Sequence, residues 1–387
     1  GGKGTEGGDA SANGSGGIRI RAPGVAVAAN RLRNQHPQLP SPIGIYCRID
    51  EEGHAADQVT ISDNHLLEFQ IGIMVSDVDN ATINGNFIRG GWLRYFGVML
   101  YDCNHSYVRD NILQDLHYYA LLSHSGRHNH IRGNRINEAI FVGIALVAES
   151  DPEISGNYLY SCGIGSMLTG LIGVVTLSNN RFMNCGYGVD GGEISIAVFS
   201  VSAAIRIDGC EIIDTGVTAN GVFQATHAGG IVVAGSLTAL RVTNNRVDYI
   251  NPAVRNGEHC AFLFHGMLSP LLMGSTLITG NHFRGPGQSA LVEFQSTGPL
   301  GMVFSNNICD HFDLKKDNNT ATVILSGSNN NNFTVMGNQI VSVNPGPSLS
   351  LRGNGSAIFM GNTMTGGFYS DIDTIPSPSK SFNIYKE

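Results

Sequence analysis

The sequence predicts an all-β solenoid, in which a single chain is wound into a parallel β-helix of about thirteen coils. A short signature, Asn-x-apolar, recurs along the 387 residues, in steps of 22 to 36 residues from Asn64 onward. A period of this size indicates a repeat architecture. The segments between the copies contain short, β-branched strands and turn residues, without the 3.6-residue periodicity of a helix. Both observations favour stacked coils over alternating βαβ units.

The recurring Asn lies at one defined position of each repeat. The residue before it is usually Gly or Asn, and the residue two places after it is apolar. The signature first occurs at Asn30, and Cys210 replaces the Asn in one copy. We expect the remaining copies to form a structural ladder, at Asn64, Asn86, Asn111, Asn134, Asn157, Asn180, Asn245, Asn281, Asn307, Asn338 and Asn362.

Two properties of Asn suit it to a corner of a coil. Like Gly, it tolerates positive φ with little strain, so it allows a tight turn between two strands. Repeated at the same corner, Asn side chains can hydrogen-bond to the copies above and below. The apolar residue two places later returns to the core side of its strand. We therefore predict one inward stack, formed by Leu66, Ile88, Leu113, Ile136, Leu159, Phe182, Val247, Phe283 and Ile340.

Each repeat contains two further apolar strands. One of them often opens with Gly, as in residues 72–75, 97–100 and 143–146, and the other leads into the Asn, as in residues 81–83 and 240–242. Three short strands in roughly 23 residues fit one coil of a parallel β-helix. Because coils stack about 4.8 Å apart, thirteen coils give a rod of roughly 60 Å.

The repeated motifs resemble those of a known group. G-N-x-I, as in residues 85–88, and S-N-N-x-F, as in residues 178–182, are similar to the repeats of right-handed parallel β-helix proteins. That superfamily includes pectate-lyase-like enzymes, phage tailspikes and NosD-like repeat proteins. The resemblance covers about residues 18–364 and implies a single-stranded, right-handed coil. It is specific for the fold and weak for activity, because the repeated residues are structural.

The repeats divide the chain into three parts. Residues 1–17 form a Gly-rich N-terminal tail with too few apolar side chains to order itself. Residues 18–370 form the β-helix, and residues 371–387 form a C-terminal cap segment in which Pro376 and Pro378 interrupt the strand ladder. No amphipathic helix precedes the first coil. Its exposed strand edges favour association with an upstream part of a longer chain or with another copy.

The composition of the chain limits the functions that can be expected. Charged residues make up 14% of the chain and the formal net charge is −8, without a Lys/Arg cluster, so nucleic-acid binding is not expected. No apolar run of about 18 residues predicts a membrane span. Few charges combined with many Gly and Asn residues are typical of a turn-rich extracellular or cell-surface protein. Nothing in the sequence calls for a cofactor.

The seven cysteines contain no C-x-x-C pair. Cys162 and Cys185 each follow their ladder Asn by five residues, which predicts that they are neighbours in adjacent coils. Two interpretations remain open at this point: buried, unreactive thiols in the core, or a disulfide between coils.

The best candidate for catalysis is a pair of carboxylates. The N-T-D, D-D, G-H-G and R-I-K sets of polygalacturonase-like enzymes are absent. Asp115 and Glu138, however, both lie four residues after their ladder Asn, so stacking brings them within about one interstrand spacing. Carboxylates this close can have different pKa values and act as acid and base. His117 is a candidate proton acceptor beside them.

Aromatic residues accompany this pair. Trp92 lies six residues after its ladder Asn, as His117 does, and Tyr95, Tyr118 and Tyr119 are close to these positions. Their rings offer flat faces for a sugar. The alternative interpretation is that all of these are outward surface positions, where polar and aromatic side chains need no functional explanation.

Two other polar clusters have weaker functional interpretations. Residues 124–130 contain three histidines, with His105 one coil away, but their spacing matches no closed metal site. Glu149, Asp151 and Glu153 flank the next corner, where a solvated turn is a simpler interpretation than a calcium site. We therefore expect no bound metal.

Two functions remain open, and the sequence favours the first. The first is a secreted or surface-exposed scaffold, assembly or adhesion protein that associates with itself and is not an enzyme. The second is a polysaccharide lyase or glycoside hydrolase, or a tailspike-like glycan binder, with its groove near Trp92, Asp115, His117 and Glu138. Fold alone does not distinguish them.

Overall fold

The structure is a computed structural model. It describes residues 17–35, 43–48, 57–90, 96–187, 194–217, 227–250, 258–268, 276–286, 290–297, 301–312, 321–328, 331–342, 346–370 and 384–385. Within these ranges the chain forms strands, turns and bends and contains no helix, which confirms the predicted all-β class. Consequently no helix in the described part of the chain could cross a membrane.

The strands stack into three long faces that run along the solenoid. The first face contains β1 (Ile18–Ile20), β4 (Ile43–Arg48), β7 (Ile71–Ser76), β10 (Phe96–Tyr101), β13 (Tyr119–His124), β16 (Val142–Val147), β19 (Ile164–Thr169), β22 (Ile194–Asp208), β24 (His227–Thr243), β26 (Glu258–Leu268), β29 (Val292–Ser296), β32 (Val323–Ser326), β35 (Leu349–Arg352) and β38 (Phe368–Ser370).

The second face follows the first in each coil. It contains β2 (Ala26–Ala28), β5 (Thr60–Ser62), β8 (Thr82–Asn84), β11 (Tyr107–Arg109), β14 (His130–Arg132), β17 (Glu153–Ser155), β20 (Gly173–Ser178), β27 (Thr276–Thr279), β30 (Gly301–Ser305), β33 (Asn331–Met336) and β36 (Gly355–Met360). The long strands β22 and β24 run through both faces and join them into one sheet of 25 described strands.

The third face is a separate sheet of 14 described strands. It contains β3 (Arg31–Arg33), β6 (His65–Leu67), β9 (Phe87–Arg89), β12 (Ile112–Leu116), β15 (Arg135–Ala139), β18 (Tyr158–Tyr160), β21 (Arg181–Met183), β23 (Glu211–Ile213), β25 (Arg246–Asp248), β28 (His282–Gly285), β31 (Ile308–His311), β34 (Gln339–Ser342), β37 (Thr363–Met364) and β39 (Ile384–Tyr385).

All strand pairs of the three faces are parallel, and each strand pairs with its equivalent in the next coil. This pairing is that of a parallel β-helix, as predicted. The period-2 alternation of a strand buries every second residue, so each face gives one side to the core. The predicted inward stack, from Leu66 to Ile340, is at most 2% exposed at every position. One continuous core cluster extends from Ile20 to Met364.

The ladder Asn side chains are buried and hydrogen-bond from coil to coil. Asn111 shows the pattern: its backbone N and its Nδ2 both donate to Asn134 Oδ1, at 3.1 and 2.9 Å, and Nδ2 also donates to the carbonyl of Ile83 at 3.0 Å. The same arrangement links Asn30 to Asn180 and Asn245 to Asn362. Because every donor and acceptor has a partner, the amides can be buried at little cost.

Cys210 interrupts this ladder. Its backbone N donates to Asn245 Oδ1 at 2.9 Å, so the link to the following coil is kept. On the other side, Asn180 Nδ2 keeps its bond to the carbonyl of Ile154 at 2.9 Å, but the Cys210 sulfur, at 3.9 Å, takes the place of the amide oxygen of the other coils. The burial of Cys210 raises the pKa of its thiol to about 11, so the thiol is neutral there.

The positive φ expected at the ladder Asn lies one residue earlier. Asp110, Gly133 and Gly156 have φ of 56°, 65° and 63°, and no described ladder Asn has a positive φ. The reason is that the ladder Asn must direct its side chain into the stack, so the preceding residue takes up the change of direction. Gly, Asn and Asp adopt this conformation with least strain.

Gly133 and Gly156 provide a matched pair for testing this turn. A Cβ at Gly133 would lie 2.5 Å from Asp110 Oδ1 in the preceding coil, whereas at Gly156 the nearest heavy atom is 4.0 Å away. We expect each Gly→Ala change to cost roughly 1–2 kcal/mol of stability because of its positive φ. Gly133→Ala should cost roughly 1 kcal/mol more, because the Asp110 side chain must rotate. Denaturant unfolding of the two variants measures the difference.

An Asp110→Ala background supplies the control for that comparison. Removing the carboxylate should abolish the additional cost of Gly133→Ala and leave the cost of Gly156→Ala unchanged. Equal unfolding free energies for the two single variants would show that the contact with Asp110 does not add to the destabilisation caused by Gly133→Ala.

The cysteines are free thiols. Cys162 and Cys185 are fully buried neighbours, as expected from their spacing, and they form no disulfide in the structure. Burial raises the pKa of the Cys162 thiol well above its usual range, and the adjacent Cys185 adds to the rise. The interpretation as buried, unreactive thiols therefore agrees with the structure.

The described residues include only part of the predicted three-part division of the chain. Residues 1–16 of the tail and most of residues 371–387 lie outside the described residues. From the C-terminal segment, β39 pairs in parallel with β37 and so extends the third face by one strand. The expected number of coils and the predicted boundaries stay predictions.

Candidate functional site

The two candidate carboxylates lie in a second column of turns. Six residues that follow a ladder position by four have positive φ between 52° and 62°. We call them the turn column: Glu68, Asp115, Glu138, Ser161, Asn184 and Asp214. Asp and Asn adopt positive φ readily, but Glu has no short polar side chain to stabilise it and costs about 1–2 kcal/mol. Glu138 is therefore placed at some cost in stability, as side chains at functional sites often are.

The strand register brings Asp115 and Glu138 side by side. β12 and β15 pair through Gln114 with Asn137 and through Leu116 with Ala139. Asp115 and Glu138 lie between these two pairs and bulge outward together. The two side chains are close enough for the charge of Asp115 and a hydrogen bond to it to favour a proton on Glu138.

A groove of about 770 Å³ contains both carboxylates. We call it the carboxylate groove, and its lining consists of Arg33, Leu67, Glu68, Arg89, Gly90, Asp115, His117, Glu138 and Ile140. These residues come from or follow five consecutive strands of the third face, β3 to β15. The groove therefore extends along the solenoid for about 19 Å, four interstrand spacings of about 4.8 Å.

Two ion pairs line the groove. Arg89 Nε donates to Asp115 Oδ2 at 2.8 Å, and Arg33 Nη2 donates to Glu68 Oε1 at 3.1 Å. Glu138 has no ion pair within the described ranges. The two neighbouring carboxyl groups thus have different surroundings, since an arginine accompanies only Asp115.

The surroundings of Glu138 favour its protonated form. Burial raises the pKa of Glu138, and the charge of Asp115 and the shared hydrogen bond raise it further. Asp115 is held instead by Arg89, whose Nε donates to its carboxylate. Two neighbouring carboxyl groups in such different surroundings can take the separate roles of an acid and a base.

The other predicted site residues are distributed around this pair. His117 lines the groove. Tyr118 and Tyr119 do not line it, but they pack with Phe96 and Phe141 directly after the groove residues His117 and Ile140. Trp92 and Tyr95 lie outside the described residues, so their predicted contribution stays a prediction.

The Tyr118 ring is only partly available to a ligand. Its centroid lies 5.0 Å from that of Phe141 in a stacked arrangement, and Tyr119 meets it edge-on at 4.7 Å. Tyr118 nevertheless stays 39% exposed, whereas burial raises the pKa of the less exposed Tyr119. Tyr118 is therefore the better placed of the two for contact with a sugar.

Sequence reasoning did not single out Arg33, Glu68 and Arg89. Glu68 has the same offset from its ladder Asn as Asp115 and Glu138, and both arginines follow their Asn by three residues. This regular offset was the only signal in the sequence for these three residues. The ion pairs that they form are seen only when the coils are stacked, because each pair joins residues of neighbouring coils.

The histidine cluster forms stacked ring pairs instead of a metal site. His105 stacks on His128 with centroids 5.0 Å apart, Tyr101 on His124 at 4.7 Å, and Tyr107 on His130 at 4.8 Å. Face-to-face stacking does not direct ring nitrogens to a common point, as metal binding requires. In the described part of the chain, no group of three or more His, Cys, Asp or Glu side chains could hold a metal ion.

The three acidic residues of the next corner, Glu149, Asp151 and Glu153, contact different partners. Glu149 is fully buried and accepts hydrogen bonds from Ser123, Gly126 and Asn129, while burial raises its pKa. Asp151 accepts from the backbone N of Val174 at 2.7 Å. The separate partners of the triplet argue against a calcium site.

Comparison with protein families supports the β-helix assignment. Residues 36–199, less than half of the chain, match the model of the family described as "Periplasmic copper-binding protein (NosD)". The resemblance expected from the motifs is confirmed: the chain is a right-handed parallel β-helix repeat protein, with NosD-like repeats in this segment. A search of curated proteins found no match.

Solved structures with similar folds include proteins in complex with glycans. A tailspike protein mutant of E. coli bacteriophage HK620 in complex with pentasaccharide is 12% identical, with a TM-score of 0.45, covering 93% of this chain and 72% of that chain. DFA-IIIase from Arthrobacter chlorophenolicus A6 in complex with GF2 is 13% identical, with a TM-score of 0.38, covering 65% of this chain and 66% of that chain.

A third structure is the catalytic unit of a GH87 alpha-1,3-glucanase from Streptomyces thermodiastaticus strain HF3-3. It is 13% identical, with a TM-score of 0.34, covering 96% of this chain and 62% of that chain. The chain thus spans slightly less than two thirds of the DFA-IIIase and of this glucanase. At these identities the likeness concerns the fold alone.

Proposed function

We propose that the protein acts on a polysaccharide, and that the carboxylate groove hydrolyses a glycosidic bond. The observation that carries the proposal is the contact of Asp115 with Glu138 inside a groove that runs along the solenoid. A long, open groove suits a polymer. In an inverting glycosidase the acid and the base stand about 6.5–9.5 Å apart, so the bound sugar and water would have to enter between Asp115 and Glu138 and separate them.

The surroundings assign a role to each carboxyl group. Glu138, whose pKa is raised, donates its proton to the leaving glycosidic oxygen. Asp115, oriented by Arg89, accepts a proton from the attacking water. After bond cleavage Glu138 is ionised and Asp115 is protonated. Transfer of that proton through their shared hydrogen bond restores the starting state.

Other residues of the groove position the substrate. Arg89 orients the Asp115 carboxylate through its 2.8 Å contact, and His117 provides a donor or acceptor for a sugar hydroxyl. The exposed Tyr118 at the end of the groove provides an apolar face for a ring. The Arg33–Glu68 pair provides further hydrogen-bonding groups for sugars bound nearer to the N-terminal coils.

Copper chemistry is not part of the proposal. The name of the NosD family refers to copper, but no group of three or more His, Cys, Asp or Glu side chains in the described part of the chain could hold a metal ion. The described residues therefore do not fit a copper site.

Incubation of the protein with a panel of neutral and acidic polysaccharides tests the proposal. We expect at least one polymer to release new reducing ends, without the unsaturated sugars that a lyase forms. An Asp115→Asn/Glu138→Gln double variant controls for contaminating activity. Unsaturated products would show that the reaction is that of a lyase and not of a hydrolase. The absence of cleavage across the panel would reject catalysis in the groove.

The scaffold function expected from the sequence has less support than the carbohydrate function. Association with another copy of the chain stays a prediction, as does an extracellular or surface location. The NosD family is described as periplasmic, which agrees with a location outside the cytoplasm.

A further inference from the structure

The second face carries two pairs of arginines in register. Arg109 on β11 lies directly opposite Arg132 on β14, and Arg206 on β22 lies directly opposite Arg241 on β24. All four side chains are exposed, because they occupy outward positions of strands whose alternate residues face the core. We call these four residues the arginine pairs.

The arginine pairs differ from most arginines of the third face, though Arg31 and Arg135 on that face also lack a carboxylate partner in the part of the chain that the structure describes. Five third-face arginines each have a carboxylate within 4 Å, and these are Arg33, Arg89, Arg181, Arg246 and Arg284. Within the described residues, none of the arginine pairs has an ion pair or a side-chain hydrogen bond. The two acids on the same stretch have other partners: Glu153 contacts His130 at 3.2 Å, and Asp208 accepts from Thr243 and Asn244.

This arrangement is unfavourable in the absence of an anion. Like charges directly opposite each other in a sheet destabilise it, and here two such pairs occur on one face. A guanidinium presents a planar fork that matches carboxylate, sulfate and phosphate groups. Two forks about one interstrand spacing apart therefore form a ready site for an anionic group.

The surface between the pairs suits an extended polymer. Arg132 and Arg206 lie on strands separated by three coils, about 14 Å along the axis. The intervening positions are held by Glu153, Ser155, Thr176 and Ser178. Thr176 and Ser178 are half-buried and offer hydroxyl groups, Ser155 is buried, and Glu153 is occupied by its contact with His130. Beside the first pair, Tyr107 stacks on His130 with an interplanar angle of 6°, which keeps the surface flat.

We propose that the second face binds a linear acidic polysaccharide, at a site separate from the carboxylate groove. Anionic groups repeated along the chain would meet the two arginine pairs in turn, while sugar hydroxyls would bond to the serine and threonine side chains between them. The net charge of −8 opposes every anionic polymer alike, so binding would rest on the local charge of the arginine pairs. The inference does not depend on catalysis in the groove.

Binding of a fluorescent polygalacturonate oligomer provides the test. It is measured in the Glu138→Gln background, so that the oligomer is not cleaved. We expect Arg132→Gln and Arg109→Gln each to weaken binding about tenfold, because each removes a charge-assisted contact. Higher salt should weaken binding as well. An uncharged dextran oligomer should not bind.

Arg181→Gln is the matched control, because Arg181 is exposed on the third face but paired with Glu211 at 2.9 Å. It should leave the affinity unchanged. If the Arg109→Gln and Arg132→Gln variants bind the oligomer as tightly as the protein with all four arginines, the proposal is overturned. Tighter binding of duplex DNA than of the oligomer would also overturn it. Loss of oligomer binding in the Arg89→Gln variant would overturn it as well, because the polymer would then bind in the carboxylate groove.

Discussion

Asn134→Asp is expected to destabilise the protein by about 3 to 5 kcal/mol at neutral pH, the cost of a buried charge without a partner. Asn134 Nδ2 donates to the carbonyl of Val108 at 2.8 Å and to Asn157 Oδ1 at 3.0 Å. In the variant a carboxylate oxygen would face these two acceptors. The side chain is 1% exposed, so water cannot compensate.

The loss should depend on pH in one direction. Burial against two acceptors raises the pKa of the new carboxyl in the folded state, while in the unfolded state it stays near 3.9. The folded state then binds the extra proton more tightly, so stability falls as the pH rises above about 4. Denaturant unfolding at about pH 4 and about pH 7 should show the larger loss at the higher pH.

Asn137→Asp is the control, since Asn137 lies in β15, the strand that directly follows Asn134, with a half-buried side chain. That variant should change stability by less than about 0.5 kcal/mol. A similar loss in the two variants, or a loss at Asn134 that does not change with pH, would mean that the ladder amides are not an important source of stability.

Glu138→Gln is expected to lower the rate of polysaccharide cleavage by about 100- to 10,000-fold, the usual contribution of a general acid. Gln has nearly the same shape but cannot donate the proton to the leaving oxygen. Because the Glu138 side chain is largely exposed, with only partial burial in the groove, folding should be little affected, and an unchanged melting temperature checks this. The rate constant kcat, measured from new reducing ends, is the main readout.

The pH profile gives a second readout for Glu138. Its raised pKa keeps the acid form present above the usual pH range, so the wild-type rate should fall only as the pH rises through that raised pKa. The remaining activity of the Gln variant should lack this decline. Glu211→Gln, a change at a carboxylate outside the groove, is the control and should keep both the rate and the profile. Retention of full activity by Glu138→Gln would exclude it as the acid.

The fold could be predicted because its signal is local and repeated. The offset between a ladder Asn and the apolar residue that follows it, as in Asn111 and Leu113, fixes which residues face inward in every coil. The position of the positive φ was assigned one residue too late, since Gly133 and Asn134 are neighbours and both residue types suit a turn. Only the hydrogen bonds separate their roles.

The candidate site could be predicted in part. Equal offsets brought Asp115 and Glu138 together from the sequence alone. The partners of these residues were not predicted, because Arg89 reaches Asp115 through the length and direction of its side chain, which spacing does not give. The same limit applies to the arginine pairs. Whether an arginine meets a carboxylate depends on which side chains the inserted loops place opposite it.

The sequence by itself determined the architecture: an all-β chain of parallel coils with a buried Asn ladder and an inward apolar stack. It could do so because one short-range pattern is repeated with each coil. Only the tertiary structure decided which polar side chains have partners and which are left without them. Those contacts join residues 20 to 40 positions apart, across coils of unequal length, so the spacing along the sequence does not give them.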